Sequence, residues 1–158
     1  MPPLSRWCVR AALAYLVLGM GLGSWMLLQP ALDEPALRHP WPALHAHILL
    51  LGFLFLLIMG VAYWMFPRVR GQRTGREGGW VAFALVNTGL LMRLVAEPAV
   101  SDGHGGVWRV LLGAAAVLPT LGAAAFAVTI LPRVRSVLSP EEARRVRERS
   151  ITRTPPPG

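Results

Sequence analysis

The chain contains a single cysteine, Cys8, and no lysine; all 16 basic residues are arginine. One thiol excludes an internal disulfide and a cysteine-based metal knot. Cys8 is expected to serve as a small apolar filler. The formal charge is +8, yet no basic face interleaved with aromatics appears, which argues against a nucleic-acid partner. The arginines instead flank apolar segments or lie in the C-terminal tail, as expected for charge beside an anionic leaflet. The chain also lacks an internal repeat, and its apolar segments show no carboxylate, which leaves little from which to build an alternating-access transporter. No good small-residue cleavage site follows the first apolar stretch before Gln29-Pro30, so that stretch is read as a helix and not a signal peptide.

Long apolar runs are plentiful. The chain is 54% hydrophobic, with a mean hydropathy of +0.47, and this composition indicates a membrane protein. Four segments, at about 7–28, 43–66, 80–96 and 107–131, approach the ~20 residues needed to cross a bilayer. A backbone in lipid must satisfy itself, so the segments are helices. The expected fold is all-α: an integral membrane four-helix bundle over residues 1–132, followed by a basic cytoplasmic tail over 133–158. Trp7, Trp25, Trp41, Trp64, Trp80 and Trp108 lie near segment ends, where amphipathic rings prefer to sit. Arg6, Arg10, Arg68, Arg70, Arg73, Arg76 and the tail arginines share one side. The other two loops hold Asp33, Glu34, Glu97 and Asp102 against Arg38. The positive-inside rule therefore predicts that both termini are cytoplasmic, in a bacterial-type inner membrane, with all four histidines near the outer face.

Smaller signals refine this picture. Gly19 and Gly23 have the spacing that lets helix backbones approach closely. Asn87 and Arg93 are polar groups expected to face the bundle interior, and Pro119 is expected to kink the fourth helix. Ser139-Pro140-Glu141-Glu142 reads as a helix start, so EEARRVRERS is expected to form a short amphipathic helix on the cytoplasmic membrane surface. The final RTPPPG has the composition of a disordered end.

The stretch most suggestive of chemistry is LHAHILLLGFLFLLIMGVAYWMFP, residues 44–67. Ionisable groups at the mouth of an apolar helix are rare and tend to be functional. At 100° per residue, His45 shares a face with Leu49, Gly52, Leu56, Met59, Gly60 and Tyr63, and His47 lies opposite with Leu51, Leu54, Ile58 and Met65. Glycines remove bulk, so the His45 face is the one expected to admit another helix or a flat macrocycle. An imidazole there could ligate heme iron. Arg38, Arg93 and Arg109, at the same depth, could bind the propionates through their forked donors. The residues alone leave a plainer alternative open, in which interfacial histidines sit among arginines that reach lipid phosphates.

The same stretch, HAHILLLGFLFLLIMGVAYWMFPR, resembles the second transmembrane helix of heme–copper oxidase subunit I and of the related nitric oxide reductases. It is also similar to the NnrS family of heme- and copper-containing membrane proteins, through His45-Ala46-His47 and Gly52-Phe53. The resemblance covers about residues 38–71. It implies a histidine ligand to heme b on or beside His45, with roles in respiratory electron transfer, heme handling or nitric oxide response. The third and fourth segments contain no histidine, so the chain cannot build an oxidase binuclear centre alone and is not expected to be a complete oxidase. The alternative is a cofactor-free assembly or accessory subunit beside a respiratory complex. A third reading is copper handling through His39, His45 and His47, although positions i and i+2 on a helix diverge. The lipid bilayer is one expected partner, and homo-oligomers or respiratory-complex subunits are the others.

Overall fold

The computed structural model describes residues 1–35, 39–66 and 74–135. Arg38, most of the 67–79 loop and the tail from residue 136 with its expected amphipathic helix lie outside the described residues. The described residues form four long helices and no strand. The first runs Pro3–Ala31 and the second Trp41–Met65; the third is Thr74–Ser101 and the fourth Val107–Arg135. All four are long and apolar enough to cross a bilayer. Each extends past the apolar run that identified it. Proline sits in the last turn of the first and third helices, at Pro30 and Pro98, and the fourth runs on through Pro119. Gly103 (φ 91°) and Gly106 (φ 58°) supply the left-handed backbone that joins the third helix to the fourth.

The second helix is not uniform. Trp41–His47 and Leu56–Met65 are α-helical, but Ile48–Phe55 is a π-helix. A π turn takes about one residue more than an α turn. The side-chain pattern slows accordingly. Leu44, Ile48, Gly52 and Leu56 are buried in a strict repeat of four, and Ala46, Leu50, Leu54 and Ile58 are exposed in the same repeat. Two partly buried rows flank the buried one. His45, Leu49 and Phe53 lie on one side, and His47, Leu51 and Phe55 lie on the other.

The first helix packs along the second, and the third along the fourth. The glycines of the second helix serve the first of these contacts. A Cβ on Gly52 would lie 2.6 Å from Tyr15 Cγ, and one on Gly60 would lie 2.9 Å from Cys8 Cβ and 3.2 Å from the Ser5 carbonyl oxygen. In the other pair, Gly89 receives the Pro119 ring and Gly122 receives Val86. The two pairs share one core, in which Cys8, Ala12 and Tyr15 meet Leu56, Met59, Val86 and Leu90. Two hydrogen bonds tie them across this core. Tyr15 donates to Asn87 Oδ1 at 3.1 Å, and the Tyr63 hydroxyl lies 2.6 Å from Thr129 Oγ1. Asn87 therefore faces the interior, and its amide also donates to the Phe83 carbonyl.

The outside of the molecule is as apolar as its core. Val17, Leu27, Val110 and Val128 are each more than 70% exposed. Exposed apolar surface on this scale marks a face for membrane or protein contact. The geometry of the glycines yields a stability prediction. Gly60→Ala forces a Cβ against Cys8 and the Ser5 backbone, and overpacking of this kind costs about 1–3 kcal/mol. Gly21→Ala and Gly113→Ala meet nothing within 4 Å inside helices, and should be neutral or stabilising by up to about 1 kcal/mol. Thermal unfolding of the three variants in detergent checks the contrast.

Candidate functional site

His45 and His47 stand on opposite flanks of the buried row, and their surroundings differ accordingly. His45 turns toward the first helix. Its Nδ1 lies 2.9 Å from the Gly19 carbonyl oxygen. Its ring lies over Gly23, where a Cβ would come within 2.7 Å of Cε1. His47 turns the other way. Its Nδ1 lies 2.8 Å from the Ala43 carbonyl oxygen, one turn back in its own helix. A carbonyl only accepts, so Nδ1–H is the donor in both rings, and the neutral form of each keeps its lone pair on Nε2. Metal-binding histidines are commonly oriented in this way.

His47 lines a groove of about 350 Å³ between the second, third and fourth helices. Leu51, Leu90, Ala115, Pro119 and Ala123 make most of its wall apolar, and His47, Arg93 and Thr120 are its polar lining residues. On the fourth helix the wall residues are small, and Ala116 and Thr120 are exposed, so the groove opens sideways from the helix bundle.

Arg93 is not a free cation. Its Nε donates to Glu97 Oε2 at 2.7 Å and its Nη2 to Glu97 Oε1 at 3.1 Å. Glu97 is only 5% exposed. The sequence places Glu97 in the loop beyond a helix ending near residue 96, and the structure corrects this. The third helix continues to Ser101 and takes Glu97 with it. A buried carboxylate needs a partner, and Arg93 one turn away provides it. His39 Nε2, from the connection between the first two helices, lies 3.6 Å from Glu97 Oε1. Ser101 Oγ donates to the His39 carbonyl at 3.4 Å.

The residues expected to form one site are distributed differently. The space at Gly52 is taken by Tyr15 and Leu90, and the space at Gly60 by Cys8. The glycine face is therefore occupied by the first and third helices and offers no slot for a macrocycle beside His45. Tyr63 is eighteen residues from His45, about 27 Å along the axis. It packs near Thr129, with the Arg133 guanidinium 4.9 Å from its ring centroid. Arg109 is exposed, and no contact brings it to either histidine of the second helix. His47 does not share an outward face with Leu54, Ile58 and Met65; those three are exposed, and His47 lines the groove. The π segment causes this difference, because it breaks the 100° step on which the expectation rested. His39, His45 and His47 point to different neighbours, and among the described residues no group of three metal-ligating side chains forms.

Sequence reasoning missed the Arg93–Glu97 pair and the groove. The i, i+4 spacing of opposite charges was the available signal for the first. Compared with known proteins, the chain matches no protein-family model, no curated protein and no solved structure.

The two histidines should differ in their effect on stability. His45→Ala removes a contact between helices and leaves the Gly19 carbonyl without its side-chain donor, a loss of about 1–2 kcal/mol. His47→Ala removes a bond within its own helix beside open space, and should cost less than about 0.5 kcal/mol. Unfolding of both variants by denaturant titration in mixed micelles separates them.

Proposed function

We propose that this chain is a heme-b-binding protein of the bacterial-type inner membrane, with His47 supplying the axial nitrogen from the lateral groove. The observation that carries the reading is the His47 imidazole. Its Nδ1–H is held by the Ala43 carbonyl, its Nε2 is left with a lone pair, and the ring lines a groove with small residues on the opposite wall. An imidazole nitrogen held in this way is the kind of donor that heme iron takes. Arg93 at the same end would meet a propionate. His45 is the less suitable ligand, because its ring is packed on the first helix. Bound heme would supply a one-electron redox couple or an iron position open to a small gas, for respiratory electron transfer, heme handling or nitric oxide response. The arginine distribution favours both termini in the cytoplasm, with the histidine end of the second helix outward.

A second reading is a cofactor-free accessory subunit of a respiratory membrane complex or of a homo-oligomer. It is favoured by the way Tyr15 and Cys8 fill the glycine face and by the prior pairing of Arg93 with Glu97. An optical spectrum distinguishes the two. Purified protein supplemented with hemin should show a shifted Soret band that His47→Ala loses and His45→Ala retains. Loss in His45→Ala alone would move the ligand to His45, and no band in any variant would leave the accessory-subunit reading.

A further inference from the structure

The mouth of the groove holds a charged cluster whose arithmetic bears on what the groove can bind. Arg93 lines the groove, yet two of its donors are taken by Glu97. Arg93 and Glu97 together carry no net charge. The geometry of their contact is the forked pairing that a guanidinium makes with any carboxylate. Glu97 thus occupies the Nε–Nη2 edge of Arg93, the edge on which a ligand's carboxylate would pair side-on. It cannot simply be released, because an unpaired carboxylate at 5% exposure is costly.

His39 is placed to resolve this. Its Nε2 lies 3.6 Å from Glu97 Oε1, too long for a hydrogen bond but within ion-pair reach. Its side chain is 70% exposed, so it can gain or lose a proton from water. Among the described residues, Arg93 and His39 are the charged groups within ion-pair distance of Glu97. From the neighbouring second helix the titratable group at the groove is His47, and the fourth helix contributes Thr120 and alanines there.

We propose that Glu97 is an internal stand-in for a carboxylate of the groove's ligand, and that ligand binding exchanges it from Arg93 to protonated His39. The proposal rests on the heme reading, with a propionate as the carboxylate. Before binding, Arg93 pairs with Glu97 and His39 is neutral. After binding, Arg93 pairs with the propionate and Glu97 pairs with imidazolium. One proton is taken up from water for each carboxylate bound, so every charge has a partner in both states. By linkage, the exchange favours a carboxylate-bearing ligand over its ester as pH falls through the range in which histidine ordinarily changes charge, while proton competition at His47 weighs on both alike.

The test titrates the full chain in detergent with hemin and with hemin dimethyl ester, following the Soret band at about pH 6 and about pH 8. Both compounds share the competition of protons for the His47 nitrogen, so the exchange is read from the difference between them. Relative to its ester, hemin should gain affinity at the lower pH, by up to about tenfold per unit for one proton taken up. His39→Ala, a change at an exposed side chain, should abolish that difference in slope. Glu97→Gln should raise hemin affinity relative to the ester at the higher pH and also abolish the difference. Equal slopes for hemin and its ester, or an unchanged difference in His39→Ala, would overturn the exchange while leaving heme binding in place. If neither compound gives a Soret shift, the heme reading fails and the exchange fails with it.

Discussion

The arrangement depends on one local departure from α-helical geometry, the π segment at Ile48–Phe55. With side chains recurring every fourth residue, the second helix carries a straight buried line from Leu44 to Leu56. A straight line can be covered by one neighbour on each flank. The first helix takes the flank of His45, Leu49 and Phe53, and the third and fourth helices meet the flank of His47, Leu51 and Phe55. Positions i and i+2 of a helix diverge, so the two histidines meet different flanks and have different chemistry. One is a packing group whose ring closes over a glycine, and the other borders open space.

Polar groups inside this apolar assembly are few, and nearly all are paired between or within helices. Tyr15 with Asn87 and Tyr63 with Thr129 join the two helix pairs at different depths, and Arg93 with Glu97 lies nearest the histidine end. Such bonds have high leverage where water cannot replace a lost partner. They also fix the register of one helix pair on the other more sharply than alkyl packing alone, because a hydroxyl has only a short range of acceptable distances.

Much of the fold was legible in the sequence because it follows from composition. Four apolar runs with arginines at their ends leave few alternatives to four helices, and all four are present. Asn87 was legible as an inward residue because a lone amide in an apolar helix needs a partner. The site was less legible, for two physical reasons. An even 100° step along the second helix put Gly52, Gly60 and Tyr63 with His45 as one surface, and ILLLGFLF gives no compositional sign of a wider turn. The helix end near Glu97 was judged from hydropathy, whereas the Arg93 partner one turn earlier lets a carboxylate continue the helix and remain buried. Glycine presented a further ambiguity. Bare backbone suits a macrocycle and a neighbouring helix equally, and only the position of Tyr15 and Cys8 decides between them.

The sideways opening of the groove has a consequence for how anything reaches it. Ala116 and Thr120 border it from the fourth helix and are themselves uncovered, on a helix whose exposed residues from Val110 onward are, Thr120 apart, all apolar. For helices seated in a bilayer, a path through this side would begin among acyl chains and not in water. An entering molecule would then first dissolve in the lipid and diffuse in two dimensions, so its supply would be set by its partition coefficient and by the fluidity of the surrounding lipid.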